Sequence, residues 1–309
     1  MPFYHLRTRS EYSLLTSALK LADLEKYIQE NNVRAMCLMD DMSLSAGLRW
    51  SIHLENMHSV KPLIGLNVFI GKEIYDLNNT YPQLGLIAKS EKGYLNLLKI
   101  LKCGHFEHNE NDFQQLWITI QDLSKYTEDI ILLTGGYRGV VGYEFLNYGK
   151  KMATETLDEL SKLFGDRMYI ELTRHGRHKE NELEDFLVDY AYKNNIQLVA
   201  TNDVCFLKKE NFKSFDALAC IRDKQYLTDQ TRKRLNEEYY LKTEKEMEEL
   251  FDDIPEAIEN TEQIVKRCNF LIKKVKPSLP HYCGSNEEED KMMEQLSKEG
   301  MEERFNQIN

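Results

Sequence analysis

The chain has no run of eighteen apolar residues anywhere in its 309 positions, which excludes a helical membrane span. Its start, Met1-Pro2-Phe3-Tyr4-His5-Leu6, lacks the basic stretch and apolar core of a secretory signal and passes at once into strand-like sequence, so the folded domain is expected to begin here. No CxxC pair occurs among Cys37, Cys103, Cys205, Cys220, Cys268 and Cys283, which argues against a zinc knuckle or a dithiol redox motif. Most of these cysteines sit in apolar runs, as in Ala35-Met36-Cys37-Leu38-Met39, and read as small core residues of a protein kept in a reducing cytoplasm. Positive charge is also short. Forty Lys and Arg face fifty-one Asp and Glu, a net charge of −11, and gripping duplex DNA requires the opposite sign. Protein partners are expected for this stretch, with any nucleic-acid contact local or made elsewhere.

What is present is alternation. Short apolar runs at Phe3–Leu6, Ala35–Met39, Leu63–Ile70, Leu84–Ala88, Ile130–Thr134, Met168–Leu172 and Ile196–Ala200 read as strands. Several are apolar throughout, the pattern of parallel strands covered on both faces. Helical spacing separates them, at Ala22–Asn31, Glu91–Cys103 (Ser90 as cap; Leu95, Leu97, Leu98 and Leu101 inward), Thr154–Phe164 before Gly165, Glu180–Lys193 and Asn211–Arg222. Thr243 and Glu246 form a capping box ahead of Met247, Leu250 and Phe251. Seven strands alternating with helices predict a parallel α/β architecture, open or closed into a barrel. Around Lys266–Pro280 the periodicity stops and two prolines enter, a boundary that divides residues 1–270 from 271–309. Glu287–Phe305 then reads as one acidic amphipathic helix with no further strand, as in a domain cut short.

Functional side chains of parallel α/β folds gather at the C-terminal ends of strands. Those ends hold His5, Arg7 and Arg9; Asp40 and Asp41; Asn67; Arg174, His175, Arg177 and His178; and Asn202, Asp203 and Cys205.

At these positions a family resemblance emerges. His5-Leu6-Arg7-Thr8-Arg9-Ser10-Glu11-Tyr12-Ser13-Leu14-Leu15 resembles the opening of the PHP domain of bacterial DNA polymerase III alpha subunits, where an HxHS follows a His-Leu and precedes Tyr/Phe-Ser-Leu-Leu. Met39-Asp40-Asp41-Met42-Ser43-Leu44 is similar to TDHxNL, and Lys61-Pro62-Leu63-Ile64-Gly65 to KPIIG. Lys89-Ser90-Glu91-Lys92-Gly93-Tyr94, Ala200-Thr201-Asn202-Asp203-Val204, Asp216-Ala217-Leu218-Ala219-Cys220-Ile221, Tyr240-Leu241-Lys242 and Pro255-Glu256-Ala257-Ile258-Glu259-Asn260-Thr261 follow in the family's order. The matches run collinearly from residue 3 to about residue 261, and that order is what makes them specific.

The resemblance implies an α/β fold, a distorted (β/α)7 PHP barrel over residues 1–270 followed by the beginning of the polymerase palm over 271–309. In active PHP domains a cluster of His, Asp and Glu at the barrel mouth holds two or three metal ions that activate water against a phosphate ester. Here the pattern departs almost everywhere. Arg7 and Arg9 stand for the two histidines of HxHS, Asp41 for the histidine of TDH, Asn67 for the glutamate after KPIIG, Gln83 for the histidine before the fourth strand, and Cys205 for the histidine of the DVH motif. Asp40, Asp203 and, as a further survivor, His175 remain. The expectation is a vestigial site of Arg7, Arg9, Asp40, Asp41, Asn67, His175, Asp203 and Cys205, with no metal, cofactor or catalytic residue. The arginines would pair with Asp40, Asp41 and Asp203, because buried aspartates stripped of their cations are costly. The alternative is that these positions drifted and their side chains are solvated.

Other motifs have plainer readings. Arg174-His175-Gly176-Arg177-His178-Lys179 is the strongest basic cluster and reads first as a solvated turn, with phosphate holding as the alternative. Gly135-Gly136-Tyr137-Arg138-Gly139 lacks the GK[ST] ending of a phosphate loop and reads as a strand-to-helix turn. His105 and His108 read as exposed loop residues, and Tyr239-Tyr240 as core. Nucleotidyl transfer in this family uses an Asp-x-Asp holding Mg²⁺, and no Asp-x-Asp occurs in these residues. The resemblance therefore implies a structural domain that docks a proofreading exonuclease subunit and other replicase subunits, within a cytoplasmic parent polymerase that reaches DNA through other domains, uses Mg²⁺ and extends primers with dNTPs. The competing readings are a metal-dependent phosphoesterase or 3′–5′ exonuclease with a reduced metal set, and a pseudo-enzyme sensing phosphate through Arg7, Arg9 and Arg174.

Overall fold

The structure is a computed structural model that describes residues 2–57, 60–72, 74–75, 81–107, 116–229, 231–232, 234–276 and 282–308. His108 of the sequence reading lies outside the described residues. Two compact units are present, Met1–Lys273 and Lys274–Asn309.

In chain order the elements are α1 (Leu21–Glu30), β1 (Ala35–Asp41), α2 (Gly47–Asn56), β2 (Lys61–Phe69), β3 (Gln83–Ala88), α3 (Glu91–Phe106), α4 (Ile120–Ser124), β4 (Ile130–Leu133), α5 (Val140–Tyr148), α6 (Lys150–Phe164), β5 (Met168–Leu172), α7 (Glu180–Asn194), β6 (Gln197–Ala200), α8 (Phe212–Asp223), α9 (Glu244–Leu250), α10 (Pro255–Arg267) and α11 (Asn286–Ile308). The six strands form a single sheet in sequence order. β3 runs antiparallel to both β2 and β4, so the sheet is mixed where the sequence reading expected parallel strands. Among the described residues no helix joins β2 to β3, and without a crossover the chain returns in the opposite direction.

The expected first strand, Phe3–Leu6, does not form a ladder of its own. The amides of Phe3 and Tyr4 donate to the side chains of Glu244 and Thr261 instead. Only Thr8 bridges, in parallel, to Leu38 of β1 on one side and to Val204 just past β6 on the other. Cys37 N donates to His5 O at 2.8 Å, Met39 N to Thr8 O at 2.8 Å, and Val204 N to Arg7 O at 2.9 Å. The N-terminal segment is thus the seventh stave, and it joins the two edges of the sheet into a distorted barrel.

Side chains alternate across each strand. Leu6, Cys37, Met39, Leu63, Ile87, Ile131, Leu133, Tyr169 and Val199 form the interior cluster, while a larger cluster packs α3, α5, α6 and α7 against the outer face. Gly65 and Gly85 keep the middle of the barrel open for Met39: a Cβ at either would lie 2.8 Å from its Cε or 3.0 Å from its Sδ. In α3 the Ser90 cap holds and Leu97 is buried, but Leu95 and Leu98 are exposed because the helix lies with Gly93, Asn96 and Ile100 on the sheet side. The Thr243–Glu246 capping box at α9 is formed as expected. α2 and α5 have weak amphipathic periods and were not anticipated, nor was α10, although Pro255 at its start, Glu256 in its first turn and Lys266 and Arg267 in its last mark a helix; α5 is apolar on most faces and packs against α6 and α7.

The second unit contains α11, a helix of 23 residues with none buried. No helix among the described residues is long and apolar enough to cross a membrane.

Candidate functional site

The inward-facing set changes character at one end of the barrel. Continuing the alternation past Met39, Gly65 and Tyr169 places Asp41, Asn67 and Glu171 at the mouth; β3, running the other way, contributes its first residue, Gln83. Arg7 and Arg9 enter from the closing segment, separated by Thr8, whose backbone makes the bridges. All six are buried or nearly so, Arg7 and Arg9 being only 2% and 1% exposed.

Arg7 donates to Glu171 Oε2 (3.1 Å), Asn67 Oδ1 (2.6 Å) and Gln83 Oε1 (3.0 Å), and its Nε lies 3.3 Å from Asp203 Oδ1. Arg9 donates through Nε to Asp41 Oδ1 (2.8 Å), through one terminal nitrogen to Asp203 Oδ1, and through the other to Gln83 Oε1 (2.8 Å). Arg138 completes the set by donating to Asp203 Oδ2 at 3.1 Å. Asn67 ties the layer together, giving Nδ2 to Asp41 Oδ1 at 2.6 Å. Three guanidinium groups therefore face three carboxylates, those of Asp41, Glu171 and Asp203. Forked donors onto paired carboxylates are the strong form of hydrogen bond.

Electrostatics follow from this arrangement. Burial alone would raise the pKa of Asp203, but Arg9, Arg7 and Arg138 together hold it well below the ordinary carboxylate value. Asp41 is likewise lowered, burial being outweighed by Arg9 and the Thr16 hydroxyl. The Cys205 thiol, 3.8 Å from Arg9, is pushed by burial up to about 11 and so carries its proton at neutral pH.

Two expected members stand apart. Asp40 meets no arginine: it accepts from Ser10 N (2.7 Å), Ser10 Oγ (2.8 Å) and Ser13 Oγ (2.6 Å), because the alternation of β1 turns it to the opposite face from Asp41. Burial raises its pKa. His175 lies beside the cluster and not in it, its ring stacked on Tyr239 at 3.9 Å with Nε2 donating to Asn202 O at 2.9 Å. The basic turn is not a free patch either. Arg174 is held by Glu184 and Asp253 and lies over the Phe251 ring at 4.6 Å, which removes it from any phosphate reading. Arg177 donates to Arg234 O. His105 is exposed, though on α3 and not in a loop.

Glu171 and Arg138 were missed in the sequence. Glu171 was discoverable: it is the charged residue of the apolar run Met168–Leu172, two positions after the inward-facing Tyr169. Arg138 sits in the glycine turn after β4, where φ of +88° at Gly135 and +54° at Gly136 swings the chain back across the mouth. At Gly135 a Cβ would lie 2.5 Å from Gly139, so the turn requires glycine there.

A barrel closed through its N-terminal segment, with its polar layer at one mouth, defines the PHP class of α/β domains, and the PHP domain model matches residues 5–175. The chain belongs to the PHP domain family. It is 35% identical over 307 residues to the DNA polymerase III subunit alpha of Caulobacter vibrioides, covering 98% of this chain and 27% of that protein. The subunit alpha of Rickettsia bellii is 35% identical over 302 residues (97% and 25%), and that of Vibrio cholerae 32% over 308 (98% and 26%). The chain thus spans about a quarter of the length of these relatives. A solved structure from Bifidobacterium adolescentis, proposed to be a metal-dependent phosphoesterase, aligns over 65% of this chain and 86% of its own at 9% identity with a TM-score of 0.27.

Among the described residues no three His, Cys, Asp or Glu side chains group as metal ligands. Each mouth carboxylate already faces a permanently charged guanidinium, which disfavours a divalent ion beside it.

Proposed function

We propose that this PHP barrel is a structural and docking domain of a replicative DNA polymerase alpha subunit, its ancestral metal site replaced by arginine. The observation that carries this reading is the placement of Arg7 and Arg9, which satisfy Asp41, Glu171 and Asp203 where metal-binding relatives of the family would need cations. Breaking a buried ion pair by removing one partner costs several kcal/mol, so the arginines hold the mouth together as a structural plug. The acidic surface, with its net charge of −11, favours protein over DNA as the partner of this region. A proofreading exonuclease subunit and other replicase subunits are the partners. Primer extension with dNTPs and Mg²⁺, in the cytoplasm, would belong to the parent polymerase and to residues outside these 309, with 271–309 leading into the palm. By itself this stretch would be inactive.

The test is metal content by plasma mass spectrometry after dialysis against Zn²⁺ and Mn²⁺, together with co-elution of the chain and the exonuclease subunit in gel filtration. Sub-stoichiometric metal and a stable complex support the proposal. Two or more ions per chain, or a metal-stimulated phosphoesterase signal abolished by Asp203→Ala, would overturn it in favour of a reduced-metal phosphoesterase.

A further inference from the structure

A cavity of the barrel domain lies at the end opposite the arginine cluster, lined by Ser161, Asp166, Tyr169, Asn194, Asn260 and Arg267 among others. Its volume is about 640 Å³, and it opens below the starts of β5 and β6, against α10. Pockets for small molecules commonly span about 300–1,000 Å³.

Its electrostatic character comes from the fold. In a barrel of this kind each helix runs back along the strands, so helix C-terminal ends gather where the strands begin. α6 ends at Phe164, α7 at Asn194 and α10 at Arg267, and the final turns of all three border this one cavity. The last carbonyls of a helix have no partner within it and carry the negative end of its dipole. Side chains add further acceptors. Asn194 spends its amide nitrogen on Tyr190 O (2.9 Å) and Asn260 spends its own on Leu198 O (2.8 Å), which leaves both amide oxygens as acceptors. Asp166 adds a carboxylate. Among the described lining residues the basic one is Arg267, and it is already committed: its guanidinium donates to Asp166 O (2.8 Å), Asp166 Oδ2 (2.7 Å) and the Tyr169 hydroxyl (2.9 Å).

We propose that this cavity binds an organic polycation, an aliphatic chain bearing primary ammonium groups. An ammonium offers three donors and no acceptor, the complement of an acceptor-rich wall. The net charge of −11 raises the local concentration of such a ligand, and the three helix ends give it a defined seat. A linear polyamine and the lysine side chains of a basic protein segment share this chemistry.

The test is isothermal titration of the 309-residue chain, at low salt, with spermidine and separately with a tetralysine peptide. One saturable site for either ligand is expected. Gln263 is exposed on α10 and lines the cavity, so Gln263→Lys should keep the fold and weaken binding by about tenfold. Thr228→Lys, exposed beyond α8 and outside the lining, makes the same charge change and should leave the affinity near that of the unaltered chain. Tighter binding of spermidine assigns the site to a free polyamine, and tighter binding of tetralysine to a basic segment of a partner. Absence of saturable binding for both ligands, or equal weakening in the two variants, overturns the proposal, the latter because it would show only a diffuse surface field.

Discussion

Arg9 and Asp203, 194 residues apart in the chain, meet in a direct buried ion pair at the barrel mouth. The same guanidinium also reaches Asp41, so one side chain from the closing segment secures both the first strand and the segment past the last one.

Arg9→Ala should therefore leave two buried carboxylates short of a partner and destabilise the domain by about 3–5 kcal/mol in urea denaturation. Adding Asp203→Asn to that variant should recover part of the loss, with a coupling of about 0.5–3 kcal/mol between the two positions. Strict additivity would mean that the pair is solvated and carries little.

Stability should fall on acidification well before the carboxylates of the cluster titrate. His5 and His175 are buried, and burial lowers both from the ordinary 6.5 to about 4. The unfolded chain takes up those protons first, so stability is full above about pH 6.5 and declines toward pH 4, by up to about 3 kcal/mol for each histidine. Asp41 and Asp203, with lowered values, keep their contribution until the pH drops below the carboxylate range, whereas Asp40, with a raised value, works in the opposite sense. Urea melts across this window should show the slope, and His175→Gln should flatten it. A flat profile for the unaltered chain would show that the histidines are accessible to protons.

Rebuilding the family's ligand pattern should rebuild metal binding. The combined changes Arg7→His, Arg9→His, Asp41→His, Asn67→Glu, Gln83→His and Cys205→His place neutral or acidic donors around Glu171 and Asp203. Plasma mass spectrometry should then find more bound Zn²⁺ or Mn²⁺ per chain than in the unaltered protein. No gain in a folded variant would show that metal binding at this mouth needs more than these six positions.

Leu15 sits at φ of +61° with its side chain partly exposed, a left-handed conformation that is costly for a residue with a Cβ. Leu15→Gly removes that strain while adding freedom to the unfolded chain, for a net stabilisation of up to about 1 kcal/mol. A lower midpoint in thermal melting would mean that the leucine side chain is held by contacts worth more than the strain.

Much of the fold was legible in the chain. Six of the seven strand runs form strands, because short Ile-, Leu- and Val-rich runs covered on both faces have few other conformations. The motif order identified the PHP family; of its positions Arg7, Arg9, Asp41, Asn67, Gln83 and Asp203 meet at the mouth, while Asp40 and His175 do not. The antiparallel direction of β3 was not legible, since an apolar run reads the same either way and only the connection decides. Nor was the reduction of the first strand to the two bridges of Thr8, the amides of Phe3 and Tyr4 being taken by Glu244 and Thr261 from more than two hundred residues away.

The sequence by itself determined which charged side chains stand at the strand ends, Arg7, Arg9, Asp41 and Asp203 among them, since a residue's place after an apolar run is read directly from the chain. Tertiary structure decided who pairs with whom. The two-residue period of β1 sends Asp41 inward to Arg9 and Asp40 outward to Ser10 and Ser13, and that of β5 brings Glu171, unnoticed in the chain, against Arg7. A carboxylate's partner is whichever donor the closed barrel places within about 3 Å of it, and that distance is set by the closing of the barrel and not by neighbours along the chain.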